Sequence, residues 1–247
     1  MKKTVVVLGV GPGLGMSIAH RFGREGYAVA LVSRSGSRHG GYLSALADAG
    51  VEASALTADV RDRDRLWSVL DTIADRHGSV DVVYYGPGAV DPSARPVPID
   101  RIGSDAVRES MSAVYPAVDV VEKVLPGMTE RREGGLLFAG GLSAVVPLPA
   151  LGALALASAA LRNYALTLNA GLAGSGVYAG TLTIGGLIER GDIHRLVTSQ
   201  PGGPGEVASL DPDLIADEAW RLYTDRDRPE ATFDVLTPAG DGERLRP

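Results

Sequence analysis

Thr4-Val5-Val6-Val7-Leu8-Gly9-Val10-Gly11-Pro12-Gly13-Leu14-Gly15 decides the fold of this chain. Thr4 to Leu8 is β-branched and apolar with no polar alternation, the pattern of a parallel strand buried on both faces. Glycine then recurs at every second position from Gly9 to Gly15. Met16 to Gly26 reads as an amphipathic helix, with Ile18, Ala19 and Phe22 on one side and Arg21, Arg24 and Glu25 on the other. Strand, glycine turn and helix together present backbone N–H groups and a helix dipole to a phosphate. Without Cβ atoms the loop can approach a diphosphate closely, and the helix can lie close on the strand.

Outward from this unit, strands and helices alternate. Tyr27–Ser33 is a second buried strand, Gly41–Ala49 a short helix, and Val51–Val60 carries a third strand. Arg61–His77 is a charged amphipathic helix whose Arg/Asp alternation reads as a solvated face, with Trp67 as packing. Val80–Tyr84 forms a fourth strand. A long helix is expected from Asp100 or Ser104 to about Val124, ended by Pro126-Gly127. Leu136–Phe138 is a fifth strand, Ala150–Leu172 a small-residue helix and Tyr178–Ile184 a sixth strand. Asp211-Pro212 opens a helix through Tyr223, and Ala231–Leu236 gives a seventh strand. The expectation is an α/β fold: one domain over 1–247, a doubly wound seven-stranded parallel sheet in three αβα layers. The stretch 189–210, which includes Pro201-Gly202-Gly203-Pro204-Gly205, is expected to be a loop covering a substrate.

Composition excludes several classes. A net charge of −6 argues against nucleic acid or an anionic membrane as partner. With no cysteine there are neither disulfides nor thiol catalysis. The apolar start is interrupted by Gly9–Gly15, so no signal peptide is read. Between Gly134 and Ile188 the only charge is Arg162, but Pro147, Pro149 and scattered glycines argue against a membrane span. The cytoplasm is the expected location. His20, His39, His77 and His194 show no metal-ligand spacing, so no metal is expected, and only His194 merits testing.

The end of the second strand bears on cofactor choice. Ser33-Arg34-Ser35-Gly36-Ser37-Arg38 has no carboxylate where a dinucleotide fold places one on the adenosine ribose. Arg34, with Ser33 and Ser35 beside it and Ser37 or Arg38 in support, favours a 2′-phosphate, hence NADP(H) over NAD(H). The other reading is a solvated basic loop.

The glycines do not fit G-x-G-x-x-G, because Leu14 or Met16 falls on its last position. They fit G-x-x-x-G-x-G as Gly9, Gly13 and Gly15, with Gly11 and Leu14 inside the loop. On that spacing the chain resembles the short-chain dehydrogenase/reductase family from Lys3 to Leu236. The resemblance implies a Rossmann fold. It implies that Asp59-Val60 holds the adenine, that Asp81–Gly88, with Gly86 and Gly88, stands for the Asn-Asn-Ala-Gly turn, and that Ile184-Gly185-Gly186-Leu187-Ile188 borders the nicotinamide. Leu8 departs from the family's preferred threonine, and Gly185 replaces its proline.

The catalytic positions depart further. The family uses a tyrosine with a lysine four residues on, a serine and an asparagine. No tyrosine here has a lysine four residues later; the only lysines are Lys2, Lys3 and Lys123. Aligned by Ala159-Ala160-Leu161-Arg162, the four positions hold Leu154, Ser158, Gly141 and Ala113 in place of Tyr, Lys, Ser and Asn. Candidate substitutes are Tyr85, Tyr84 and Ser143, with packing the other reading for the tyrosines and loop capping for the serine. Two consecutive strand residues must point opposite ways. Tyr115 reads as an interface residue, with a place in the cleft the other reading. The family pairs its two long helices across a two-fold, which implies a homodimer or homotetramer; for the Ala/Gly-rich helix the other reading is internal core.

Three functions follow: an atypical NADP(H)-dependent oxidoreductase on a small apolar carbonyl or enone, a non-redox enzyme (cyclase, isomerase or dehydratase) on the same scaffold, or a non-catalytic NADP-binding protein.

Overall fold

In β1 (Thr4–Leu8) the side chains alternate between two cores. Val6 and Leu8 face one, Val5 and Val7 the other, and all four are fully buried between helical layers. The structure, a computed structural model, describes residues 2–87, 96–199 and 208–237. After β1 come α1 (Leu14–Arg24), β2 (Ala28–Ser33), α2 (His39–Asp48), β3 (Ala53–Thr57), α3 (Arg63–His77) and β4 (Val82–Tyr85). Then follow α4 (Ser104–Met111), α5 (Tyr115–Arg131), β5 (Gly134–Gly141), α6 (Ala153–Gly171) and β6 (Val177–Gly185). The described chain closes with β7 (Leu187–Ile188), α7 (Asp192–Thr198), β8 (Ser209–Leu210), α8 (Pro212–Asp225) and β9 (Glu230–Asp234).

The main sheet has seven strands in the order β3-β2-β1-β4-β5-β6-β9, all parallel. One face is covered by α3, α5 and α6, through Leu66, Leu70 and Ile73, Val120 and Met128, and Leu161 and Ala165. The other is covered by α1, α2 and α8, through Ile18 and Phe22, Leu46, and Ile215 and Leu222. This is the expected three-layer Rossmann architecture. Strand order reverses at β1, which lies between β2 and β4, and the crevice beyond the carboxyl ends of these strands is where such sheets bind ligands.

Several elements differ from the expectation. The helix expected from Asp100 or Ser104 to Val124 is two helices, broken at Ser112–Val114. There Ser112 Oγ donates to the carbonyl of Glu109 at 2.6 Å, and Val114 N–H returns only to Met111 at 2.8 Å, a tightened turn that ends α4. Pro126 does not stop α5, which runs on to Arg131. Pro126 lies on the exposed side, where water can serve the carbonyl it leaves unbonded, while Val120, Val121, Val124 and Met128 hold the other face in the core.

The helix expected from Ala150 begins at Ala153, because Gly152 takes a left-handed conformation (φ 49°) and the chain enters at a sharp angle. The stretch 189–210 is not all loop. It contains α7, and it is rooted where β7 pairs in parallel with β8. Its residues 200–207, with Pro201–Gly205, lie outside the described residues, as does Gly88. The last strand ends at Asp234 and leaves Val235 and Leu236 beyond it. Among the described residues no helix is long and apolar enough to cross a membrane.

Candidate functional site

The glycine loop is built by close backbone approach. Gly9 has φ 80° and donates its N–H to Val32 at 2.9 Å, while a Cβ on it would stand 2.6 Å from the nitrogen of Pro87. A Cβ on Gly15 would reach Val10 Cα at 2.9 Å, so α1 sits directly on its own loop. Gly13 faces the backbone of the segment after β7, where a Cβ on it would stand 2.9 Å from the Glu189 carbonyl oxygen. Its bareness therefore serves packing rather than an open approach. Gly11 is the loop glycine that looks onto open space, with nothing within 4 Å of a Cβ. Gly13 caps α1 without a side chain, and the first turn, opening at Leu14, carries no acidic residue. Met16 N–H already donates to the Gly11 carbonyl at 3.1 Å, so among the described residues it is the amides of Leu14 and Gly15 that are left to an external acceptor.

The end of β2 is polar and basic. Ser33 Oγ donates to the Ser35 carbonyl at 2.9 Å and lies 2.7 Å from Nε2 of His39. Ser35 Oγ donates to Ser37 Oγ at 3.1 Å, and Arg34 is exposed beside them. His39, buried at the start of α2, has its pKa lowered by that burial. The sequence offered no sign of this histidine beyond its place six residues after Ser33. Asp59 is held in two-pronged fashion by Arg61, at 2.7 and 3.1 Å, which keeps its carboxyl below the usual range with help from the Arg34 charge. Val60 is half-buried against the α3 core. Arg38 reaches across to Asp192 on α7 at 2.7 Å, a contact invisible in the sequence.

The far side is closed by small residues. A Cβ on Gly186 would stand 2.6 Å from Val235, and one on Gly185 would strike Leu142. Ile184 and Ile188 are half-buried against the α1 core. Gly86 leaves room for the phenol of Tyr84, and Gly180 does the same for Tyr178: in both, the ring lies over the glycine two residues on.

The structure sorts the residues offered as catalytic candidates. Tyr84 and Tyr85 point to opposite faces, Tyr84 into the core against α1 and Tyr85 into the core against α5. Burial raises the pKa of both phenols. Tyr85 Oη donates to the Ala113 carbonyl at 2.6 Å, in the break between α4 and α5. Neither is poised as an acid near neutral pH. Leu154 is exposed at the start of α6 and brings no polar group.

Gly141, Ser143 and Ser158 do converge. A Cβ on Gly141 would lie 3.2 Å from Ser158 Oγ and 3.4 Å from Ser143 Oγ. Sequence reasoning offered Ser143 alone. Ser158 was hidden by being read only as a missing lysine. The lysines are engaged elsewhere: Lys123 pairs with Asp71 at 2.7 Å beside Trp67, Lys2 with Glu52, and Lys3 with Glu133. His194 lies on α7. The arrangement can hold an oxygen between two hydroxyls, and it supplies no strong proton donor.

Comparison with known proteins agrees with this fold. Residues 3–189 match the family model described as short chain dehydrogenase. The chain is 28% identical over 230 residues, 91% of its own length and 81% of the relative's, to a 1-deoxy-11-beta-hydroxypentalenate dehydrogenase of Streptomyces exfoliatus. It is 31% identical over 135 residues to a protein of Streptomyces coelicolor described as a ketoacyl reductase, spanning 55% of this chain and only 51% of that relative. Among solved structures, a short-chain oxidoreductase of Pseudomonas aeruginosa PAO1 described as containing an atypical catalytic center superposes with TM-score 0.83 at 19% identity, over 96% of this chain and 97% of that one. The chain belongs to the short-chain dehydrogenase family.

Proposed function

We propose that this chain is an atypical NADP(H)-dependent oxidoreductase acting on a small apolar carbonyl or enone without a tyrosine–lysine acid. Gly9, Gly11, Gly13, Leu14 and Gly15 would hold the diphosphate, and Ser33, Arg34 and Ser35 the 2′-phosphorylated ribose. Asp59 and Val60 would flank the adenine, and Gly86, Ile184, Gly186 and Ile188 the nicotinamide side; Gly88 belongs to the same set on sequence grounds. The open face of Gly11 and the carboxylate-free end of β2 support this fit.

When bound, the nicotinamide supplies or accepts the hydride. Ser143 and Ser158 donate hydrogen bonds to the substrate oxygen across the bare face of Gly141, and this convergence is the observation that carries the reading. Serine hydroxyls polarise a carbonyl but do not protonate the product, so the proton comes from water. A positioned general acid contributes about 10²–10⁴-fold, and this chain forgoes that factor. An enone suits such a site better, because charge arriving on an enolate oxygen needs less acid. The stretch 189–210 would cover the substrate. Tyr115 and Val118 on α5 and Leu156 on α6 are exposed, which supports pairing of copies into a dimer or tetramer through the long helices.

The decisive experiment follows NADPH absorbance with a panel of ketones and enones. Steady oxidation with enones supports the reading. Product without NADPH consumption would favour a cyclase, isomerase or dehydratase. Tight binding with no turnover would favour a non-catalytic NADP-binding protein, a reading that the missing phenol and lysine keep in play.

A further inference from the structure

Arg38 and Asp192 are 154 residues apart in the chain, yet the guanidinium of one donates to Oδ2 of the other at 2.7 Å. Arg38 ends the loop after β2, immediately before α2, and Asp192 is the first residue of α7. The pair joins the two lips of the crevice. One lip is the ribose-side loop 33–38. The other is the segment 189–191, whose backbone packs against Gly13. The Asp192 carboxylate is served twice, since Arg195 on its own helix donates to Oδ1 at 2.8 Å. Both members of the bridge remain about half exposed, 52% for Arg38 and 42% for Asp192, so a dissolved anion can take the carboxylate's place on Arg38.

The end of β2 has no carboxylate of its own. Asp192 brings one to it from the start of α7, and places it on an arginine that stands four residues from Arg34.

We propose that Asp192 is a specificity-determining residue: its carboxylate competes with the ribose 2′-phosphate for Arg38, and so sets how strongly the chain prefers NADP(H) to NAD(H). The inference rests on the reading of the crevice as a nicotinamide-dinucleotide site. A 2′-phosphate offers more charge and more acceptor oxygens than a carboxylate and displaces it from the guanidinium. The displaced pair still lowers the phosphate's net gain. NADH, with a free 2′-hydroxyl, has nothing to exchange for it. A part-exposed pair of this kind is worth a factor of about 1.5–5 in an equilibrium constant.

The test is calorimetric titration of the full chain with NADPH and NADH, for the wild type, Asp192→Asn, Arg38→Gln and the double variant. The expected result is NADPH binding about 2–5-fold tighter in Asp192→Asn with NADH unchanged, and no effect of Asp192→Asn once Arg38 is glutamine. Asp192→Ser serves as a second replacement should the first fold poorly. NADPH binding that is unchanged or weaker in Asp192→Asn, or a shift shared equally by NADH, overturns the competition while leaving the dinucleotide site intact. If the folded wild type takes neither dinucleotide, the functional reading falls first and this inference with it.

Discussion

The phenol of Tyr85 and the backbone carbonyl of Ala113 form a 2.6 Å hydrogen bond that ties the end of β4 to the break between α4 and α5. The tyrosine is deeply buried and its ring packs toward Phe138, with centroids 6.3 Å apart. This is a structural tie rather than a poised acid. Tyr85→Phe leaves a buried acceptor without its partner and should destabilise the fold by about 1–3 kcal/mol. Chemical denaturation measures that loss, and NADPH affinity should stay within two-fold of wild type, at about 0.4 kcal/mol or less. A hundred-fold fall in turnover with an unchanged melting temperature would instead make the phenol an acid.

Arg34→Asp places a negative charge where the 2′-phosphate is expected. Charged hydrogen bonds of this type contribute about 1.5–3 kcal/mol, so NADPH affinity should drop about 10–100-fold. NADH should lose far less. Equal losses for both cofactors, measured by fluorescence titration, would remove the 2′-phosphate assignment.

Gly11 and Gly15 separate ligand space from packing. A methyl group on Gly11 meets nothing within 4 Å, so Gly11→Ala should fold with an unchanged melting temperature. It should nonetheless weaken NADPH and NADH together, by about ten-fold if the diphosphate lies there, near 1.4 kcal/mol. Gly15→Ala drives a methyl into Val10 Cα, 2.9 Å away, and should lower stability before any ligand is added. Wild-type affinity in a well-folded Gly11→Ala protein would contradict the loop assignment.

Restoring the family's acid is a gain-of-function test. In the variant Gly141→Ser, Leu154→Tyr, Ser158→Lys, the side chain added at Gly141 meets position 158, whose native Oγ lies 3.2 Å from a Cβ there, so the lysine stem has to turn away from it. Ketone reduction should rise by about 10²-fold or more if the rest of the crevice is competent. A well-folded triple variant with no gain would show that more than the acid has been lost.

Acid stability should depend on His39. Burial lowers its folded pKa below the ordinary histidine value of 6.5, so the unfolded chain binds the proton more readily. Stability is therefore complete above pH 6.5 and falls as the pH drops below it, until the folded pKa is passed. His20, lowered by burial and by Arg24, adds to the same trend. His39→Gln should flatten the decline in denaturant midpoint between pH 6.5 and 5, and an unchanged slope would exclude His39 as a source.

Much of this was legible because it is local. The β-branched run Thr4–Leu8 can be stable only between two helical layers, and the glycines after it allow just the close approaches that Gly9 and Gly15 make. Pro126 misled because proline's cost is local, whereas the burial of Val120, Val124 and Met128 that outweighs it comes from the sheet beneath. Gly152 was read as ordinary helix for a similar reason, since only the chain's entry angle demands its positive φ.

The sequence by itself determined the strand–glycine–helix unit, the alternation that makes the sheet parallel, the basic carboxylate-free end of β2 and the loss of every tyrosine–lysine pair. Each of these follows from neighbouring side chains or from an exhaustive search of positions. Tertiary structure alone decided that Gly13 backs onto residues 189–191, that Ser143 and Ser158 meet over Gly141, that Tyr85 is spent on Ala113 and that Asp192 reaches Arg38. Those contacts join residues from different strands and helices, and the physical reason they could not be read is that their distances are set by how the layers pack, which no local spacing in the chain encodes.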